Sequence, residues 1–331
     1  ILVKGARVFE FERISKLLTQ NIHDTVLEID LSALANNLKF YRSKLQPGVK
    51  VMAMVKAFSY GSGSFEIANV LQYHKVDYLA VAYTDEGISL RKAGITLPIM
   101  VMSPEPSAFE AIVQYQLEPE IYNLQILQQF HAFLDGAATR FPIHLKIDTG
   151  MHRLGFEAPE IDVLLEELKT AERIKVNSIF SHLVGSDDPA HDAFTRKQLE
   201  SFKQIAARIS ESLGYEPIQH ISNTAAISRL PEAQLNMVRV GIGLYGFDAA
   251  LQHNKGLQTV AQLKTTVTQV RKVPANESVG YSRRGIMQQD GCVATVKIGY
   301  ADGYSRMFGN GVGHMLLHGK PVPTIGSICM D

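Results

Sequence analysis

The chain has 331 residues, of which 46% are hydrophobic and 20% charged, so it can bury a full core and exceeds the length of one average domain. Lysine plus arginine and aspartate plus glutamate number 33 each, which argues against nucleic acid or a membrane surface as a partner. Two cysteines are too few for a disulfide framework, and no apolar stretch is long enough to span a bilayer, so we expect a cytoplasmic enzyme with two domains.

The first part of the chain predicts elements that precede the main fold. Residues 1–20 predict a strand and a helix that belong to neither main domain, and they lack the pattern of a signal peptide. The run 25–45 predicts another strand and then a helix, with Ser32 as its N-cap. Because the sequence opens with Ile1 and stops at Asp331, directly after the strand-like run 321–330, we expect both ends to be cut from a larger protein.

Residues 21–256 alternate short apolar runs with amphipathic segments, the pattern of a parallel sheet covered by helices. Eight strands favour a closed (β/α)8 barrel of the TIM type over an open sheet. The predicted strands are 51–55, 78–83, 98–102, 119–122, 143–148, 176–182, 217–222 and 238–241. The predicted helices between them include 65–73, 84–92, 124–134, 158–169 and 194–213.

From about Leu257 the pattern changes to strands separated by Gly, Pro and Asn turns, without a helix. Residues 257–331 therefore predict a second, all-β domain that is incomplete at Asp331. The fold class is α/β, a barrel followed by this β domain.

The active site of such a barrel lies at the C-terminal ends of its strands, and phosphate is commonly held after the seventh and eighth. Lys56 ends the first strand, and its free amine could act as a nucleophile. An isolated lysine at a strand end is more often solvated, so this interpretation depends on its surroundings.

Polar side chains follow the later strands as well. On the fifth run His144, Lys146 and Asp148 alternate toward one face, with Arg153 on the loop beyond them, although such a polar layer could merely close the barrel end. After the seventh strand, Asn223 and Thr224 begin a helix and suit a phosphate, or form an ordinary N-cap. On the eighth, Arg239 is a permanent cation near glycines that admit a ligand, or a salt-bridge partner.

Eight motifs together resemble the alanine racemases, which are fold-type III enzymes that use pyridoxal phosphate. They occur in the family's order between about residue 24 and residue 331. They are MVKAFSYGSG, HLKIDTGMHRLGF, SHLVGSDDP, SNTAA, MVRVGIGLYG, VGYSRR, GYADGYSR and GSICMD.

The resemblance implies a role for each matched residue. It implies that Lys56 bonds covalently to the cofactor and is one of two catalytic bases, and that Tyr281 of the partner subunit is the other. It implies further that Arg153 orients the substrate carboxylate and that Lys146 matches a lysine that is carbamylated in some members. The remaining cofactor contacts would be Tyr60, His182, Asn223, Thr224, Arg239, Gly241 and Ile242, and the substrate entrance would be lined by Tyr300 and Met330.

Physical chemistry makes these roles intelligible. Pyridoxal phosphate acidifies the Cα–H bond of an amino acid, so inversion needs one base on each face. An arginine facing the pyridine nitrogen cannot protonate it, which should suppress transamination and decarboxylation. The resemblance thus implies racemisation of L-alanine to D-alanine for peptidoglycan by a homodimer with shared active sites; no metal is assigned.

The sequence departs from the family pattern at Phe58 and Ser62, which could alter the width of the pocket, and at Asp331, beyond which the family contributes another tyrosine. The opening segment ILVKGARVFEFERISKLL resembles the end of a Mur ligase, which implies a ligase and racemase fusion. Two alternatives remain: a non-catalytic pyridoxal phosphate carrier, which would be essentially barrel only, and a fold-type III decarboxylase, which would place an acid where Arg239 stands.

Overall fold

A computed structural model describes residues 25–136 and 140–331. These residues divide into two compact units, the larger formed by residues 29–261 and the smaller by residues 25–28 together with 262–331. The strand and helix predicted for residues 1–20 lie outside the described residues. Strand β1 (Val26–Ile29) forms a two-stranded sheet with β10 (Ala261–Lys264).

Eight parallel strands form one sheet in the larger unit, in the order β8-β7-β6-β5-β4-β3-β2-β9. They are β2 (Lys50–Met54), β3 (Tyr78–Val81), β4 (Ile99–Val101), β5 (Glu118–Ile121), β6 (Phe141–Lys146), β7 (Ile174–Phe180), β8 (Ile218–His220) and β9 (Met237–Val240). The end strands β8 and β9 also meet, because the Arg239 N–H group donates to the Ser222 carbonyl at 3.0 Å. The barrel is therefore nearly closed, and all eight predicted strands are confirmed.

Alternate residues of each strand face two different cores. On β2, Val51, Ala53 and the following Val55 pack in the large core shared with the helices, whereas Met52 and Met54 belong to a cluster inside the barrel. Both faces are buried, which explains why the strands read as continuous apolar runs. The interior cluster also contains Tyr78, Ala80, Met100, Phe180 and Met237.

The helices that cover the barrel agree with the sequence pattern. They are α1 (Leu31–Arg42), α2 (Phe65–Tyr73), α3 (Thr84–Lys92), α4 (Phe109–Gln114), α5 (Leu124–Phe133), α6 (Ile161–Thr170), α7 (Asp192–Leu213) and α8 (Thr224–Arg229). The N-cap predicted at Ser32 is wrong. Asp30 caps α1 instead, because its carboxylate accepts the N–H groups of Ser32 and Ala33. Within the described part of the chain, no helix combines the length and the apolar character needed to cross a membrane.

The smaller unit contains strands and short 3-10 helices, and no α-helix occurs among its described residues. Its further strands are β11 (Val267–Val273), β12 (Ser278–Val279), β13 (Gly285–Ile286), β14 (Gly291–Val296), β15 (His314–Leu317) and β16 (Lys320–Pro323). They pair antiparallel as β11 with β14, β12 with β13 and β15 with β16. The strand expected over 321–330 is shorter than predicted: β16 ends at Pro323, and Gly326 beyond it has a φ of +73°, outside the extended region.

Candidate active site

Lys56 lies at the end of β2, where the chain enters an unusual left-handed turn. Four consecutive residues, Ala57 to Tyr60, have φ values of 52°, 51°, 53° and 58°. None is glycine, so each adopts a backbone conformation that costs an L-residue roughly 1–2 kcal/mol. Lys56 and Tyr60, at the two ends of the turn, line one cavity, whereas Phe58 between them is exposed and does not line it. The effect of Phe58 on the pocket width stays a prediction.

The cavity has a volume of about 440 Å³, within the usual range for a small-molecule site. It is lined by residues that follow the C-terminal ends of barrel strands, as expected for this architecture. Nine of the predicted site residues line it together: Lys56, Tyr60, Arg153, His182, Asn223, Thr224, Arg239, Gly241 and Ile242.

One end of the cavity is rich in hydrogen-bond donors. Asn223 caps α8 by accepting the Ala226 N–H group at 3.0 Å, and the Thr224 hydroxyl accepts the Gly241 N–H group at 3.0 Å. A Cβ atom on Gly241 would lie 2.7 Å from the Tyr60 hydroxyl oxygen, so only glycine permits this approach. Burial raises the pKa of Tyr60, which keeps its phenol protonated and able to donate. This end suits an anion.

Arg239 is a buried cation that is fixed by its neighbours. Its Nη1 donates to Nδ1 of His220 at 2.8 Å and to the His220 carbonyl at 3.2 Å, and its Nη2 donates to the Ser181 carbonyl at 2.6 Å. Among the described residues Nε–H has no acceptor, which leaves it for a ligand. Burial lowers the pKa of Arg239 to about 10, against the opposing effect of Glu120, so the side chain is still charged at neutral pH.

His182 is held neutral beside this cation. Its Nδ1 lies 3.2 Å from Nη2 of Arg239, and because arginine only donates, Nδ1 accepts and the ring proton is on Nε2. Burial, together with the charges of Arg239 and Lys146, lowers the pKa of His182 to about 3.

Lys146 is buried inside the barrel. It precedes the cavity-lining residues Met151 and Arg153 in the sequence but does not line the cavity itself. Its Nζ lies 3.2 Å from Oε1 of the fully buried Glu120. Burial raises the pKa of Glu120 to about 7 and lowers that of Lys146, so both groups are pushed toward their neutral forms. Asp148, expected on the same face, instead lies past the end of β6, and its carboxylate accepts the N–H groups of Gly150 and Met151.

The remaining predicted residues belong to the smaller unit, where all three are exposed: Tyr281, Tyr300 and Met330. Tyr300 and Met330 come from neighbouring segments, because the Tyr300 N–H group donates to the Cys329 carbonyl at 3.0 Å and the Ala301 N–H group to that of Met330 at 2.9 Å. Arg306 lies over the Tyr300 ring at 5.5 Å.

Sequence reasoning missed the acidic residues of the barrel interior. Glu118 and Glu120 both lie on β5 and point to the same face, since strand side chains alternate. The sequence did contain a signal for them: two glutamates, one on each side of Pro119, stand in an otherwise apolar strand and must therefore share one face. His220, at the end of β8, was also missed, although it holds Arg239.

Fold and site together define a (β/α)8-barrel enzyme with a lysine at a strand end and anion-binding groups across the cavity. A family model described as the N-terminal domain of alanine racemase matches residues 29–249, and one for its C-terminal domain matches residues 260–331. The chain belongs to the alanine racemase family. This membership does not support the two alternatives, a barrel-only carrier and a decarboxylase.

Individual relatives agree with the family models. The alanine racemase of Methanococcus maripaludis is 38% identical over 314 residues, covering 93% of this chain and 83% of the relative. The structure of alanine racemase from Clostridium difficile 630 superposes with a TM-score of 0.86 at 33% identity, covering 94% of this chain and 82% of the other. That of the Bartonella henselae alanine racemase, with covalently bound pyridoxal phosphate, has a TM-score of 0.84 at 27% identity and coverages of 93% and 84%.

Proposed function

We propose that this protein racemises L-alanine and D-alanine with pyridoxal phosphate bound in the 440 Å³ cavity. The observation that carries the proposal is the arrangement around that cavity: a strand-end lysine, a group of anion donors and a fixed arginine line the same space. Proteins similar to this chain over most of its length are named alanine racemases.

The chemistry of the side chains fits the cofactor. Lys56 supplies an amine for an aldehyde, and the Tyr60 and Thr224 hydroxyls and the backbone at Ile242 supply neutral donors for a phosphate. The Gly241 N–H group donates to the Thr224 hydroxyl, and the missing side chain of Gly241 leaves room for the anion. The close approach of Gly241 to the Tyr60 hydroxyl, which a Cβ would block, supports an anion at that end. The Nε–H group of Arg239, for which residues 25–136 and 140–331 offer no acceptor, can donate to a ring nitrogen but cannot protonate it.

When bound, pyridoxal phosphate makes the Cα–H bond of the attached amino acid acidic, because its ring spreads the negative charge. Lys56 would be the proton-transfer group on one face of the substrate and Tyr281 of the partner subunit that on the other, one of them unprotonated while the other carries a proton. Inversion occurs when one base removes the Cα proton and the other delivers a proton from the opposite side. Arg153, which lines the cavity, orients the substrate carboxylate.

Arg239 determines reaction specificity. A charged guanidinium that keeps its proton offers the ring nitrogen a hydrogen bond without neutralising negative charge by proton transfer, so reprotonation at Cα is favoured over slower side reactions. His182, neutral and bonded to Arg239, keeps that guanidinium in place without adding a second charge.

Lys146 is the proposed site of carbamylation. Burial lowers its pKa, which favours the neutral amine that attacks carbon dioxide, and the new carboxylate would offer Arg153 an anionic partner. The raised pKa of Glu120 supports the protonated acid beside the new group. Intact-mass measurement under carbon dioxide tests this step: an unmodified protein would rule it out.

The wider roles follow from the resemblance. We propose a homodimer in the cytoplasm that supplies D-alanine for peptidoglycan, and the two exposed free thiols, Cys292 and Cys329, suit a reducing compartment. Residues 1–20 are proposed to be the end of a Mur ligase fused to the racemase. The gene sequence upstream of Ile1 tests the fusion, and sedimentation tests the dimer: a fully active monomer would contradict shared sites.

Cofactor attachment is tested by reducing the loaded protein with borohydride, which fixes a lysine Schiff base, and locating the label by peptide mass. We expect the label on Lys56. Lys50, at the opposite end of β2, provides the matched control: Lys56→Ala should abolish labelling, and Lys50→Ala should leave it intact. Labelling of Lys56→Ala to the wild-type extent would refute the assignment.

A further inference from the structure

Five neighbouring strands of the barrel each contribute one polar side chain to a continuous row. Glu118 on β5 has Oε2 2.9 Å from Nε2 of His144 on β6, whose Nδ1 is 2.6 Å from the Ser178 hydroxyl on β7. That hydroxyl is 2.9 Å from Nε2 of His220 on β8, and His220 Nδ1 is 2.8 Å from Nη1 of Arg239 on β9. Apart from Glu118, which is 9% exposed, every member is at most 3% exposed.

The chemistry of the two ends fixes the direction of every bond in this row. Arginine can only donate, so Nδ1 of His220 accepts, and the neutral ring carries its proton on Nε2 and donates it to Ser178. The Ser178 hydroxyl then donates to Nδ1 of His144, which places the second ring's proton on Nε2. That proton faces the carboxylate of Glu118 across 2.9 Å, an electrostatic contact whose geometry is not that of a hydrogen bond.

The Glu118 end is built to remain ionised. Asn177 donates to the same Oε2 atom at 3.1 Å, and the Tyr78 hydroxyl does so at 3.4 Å. Burial opposes ionisation, but the electrostatic contact with His144 and the bonds from Asn177 and Tyr78 together outweigh it and lower the pKa of the Glu118 carboxyl. Arg239 at one end can only donate and the Glu118 carboxylate at the other can only accept, so the protons between them have one arrangement.

We propose that Glu118 is a positioning residue that acts through His144, Ser178 and His220 to fix the guanidinium of Arg239 toward the cavity. The reverse arrangement would set an N–H of His220 against an N–H of Arg239 at 2.8 Å and push the guanidinium aside. The consequence of this role for the substrate rests on the proposed function, because that function assigns Arg239 to the cofactor. The direction of the hydrogen bonds does not rest on it.

The direction is tested without turnover, by ¹⁵N NMR of the histidine side chains in the protein both with and without pyridoxal phosphate. We expect His144 and His220 as neutral rings protonated on Nε2 in both forms. A His220 ring protonated on Nδ1, or on both nitrogens at neutral pH, would overturn the proposal.

The effect on the reaction is tested with Ser178→Ala, which removes the central hydroxyl. Ser210→Ala is the matched control, because Ser210 is also buried and its hydroxyl has no partner among the described residues. We expect Ser178→Ala to lower kcat about tenfold, the upper end of what one hydrogen bond contributes, with KM for alanine unchanged. Equal kcat values in the two variants would overturn the positioning role.

Substitutions at the acidic end complete the test. Glu118→Gln keeps an acceptor but removes the charge, so its kcat should fall less than that of Glu118→Leu. Tyr78→Phe removes only the longest of the bonds to Glu118, at 3.4 Å, so its kcat should fall less than that of Glu118→Gln. A Tyr78→Phe loss as large as that of Glu118→Gln would contradict the proposal. If the wild-type protein is inactive but NMR shows His144 and His220 protonated on Nε2, racemisation is refuted, whereas the proposed direction of the hydrogen bonds in the row stands.

Discussion

Glu86 ties the lysine-bearing end of β2 to the end of β3. One carboxylate oxygen accepts the Ala57 N–H group at 2.6 Å, and the other accepts the Ala82 N–H group at 2.7 Å. Ala57 is the first residue of the left-handed turn and directly follows Lys56. A single side chain therefore stabilises the conformation that brings Lys56 and Tyr60 to the same cavity.

Loss of this carboxylate should destabilise the protein. Glu86→Ala removes the two short hydrogen bonds from Ala57 and Ala82 and a longer one from Tyr83 at 3.3 Å, and we expect the free energy of unfolding to fall by about 3 kcal/mol. Urea denaturation measures the change, and Asp85→Ala, the exposed neighbour on α3, is the control. Equal stabilities of the two variants would show that Glu86 does not hold the turn.

The left-handed turn can be relaxed by glycine. Ala57→Gly should raise the free energy of unfolding by about 1 kcal/mol, because the relief of the left-handed conformation exceeds the entropy lost by glycine on folding. Ala207 lies exposed in the middle of α7, where the same substitution should lower it by about 1 kcal/mol. Changes of the same sign at both positions would contradict strain in the turn.

The end of the cavity formed by Tyr60, Thr224 and Gly241 should bind an anion less tightly when Gly241 gains a side chain. A Cβ there would lie 2.7 Å from the Tyr60 hydroxyl, so Gly241→Ala should weaken pyridoxal phosphate binding by at least about tenfold. Absorbance titration measures the affinity. In the control Gly291→Ala, the new Cβ would meet only the flexible end of Met287, and wild-type affinity is expected. Unchanged affinity in Gly241→Ala would place the anion elsewhere.

The neutral state of His182 has a consequence for stability at acid pH. Its pKa falls from 6.5 to about 3 on folding, so between these values the unfolded chain binds a proton that the folded protein does not. The free energy of unfolding must then decrease as pH falls through this range. His182→Asn lacks the group, and its pH dependence should be shallower by up to about 1.4 kcal/mol per pH unit.

Denaturant unfolding between these pH limits compares the two slopes. Identical slopes for wild type and His182→Asn would mean that His182 titrates equally in the folded and unfolded chains.

The sequence was informative where one element dictates its own structure. Buried parallel strands appear as apolar runs, so all eight were predicted, and nine of the residues that line the cavity were named from the sequence. The N-cap was misassigned because Asp30 and Ser32 are both good capping residues and only the hydrogen bonds distinguish them.

Features that depend on several elements were not predicted. Ala57 to Tyr60 contain no glycine, so nothing local indicates a left-handed turn that Glu86 stabilises from α3. The row from Glu118 to Arg239 joins five strands separated by long stretches of sequence, and each member alone is an ordinary buried polar residue.

The central claim is the racemisation of alanine, and exchange at Cα tests it most directly. The protein is incubated with pyridoxal phosphate and either L-alanine or D-alanine in D2O, and optical rotation and Cα deuterium are followed together. We predict that both enantiomers converge on zero rotation and acquire deuterium at Cα. Retention of optical rotation without Cα deuterium in both samples would contradict the proposed function.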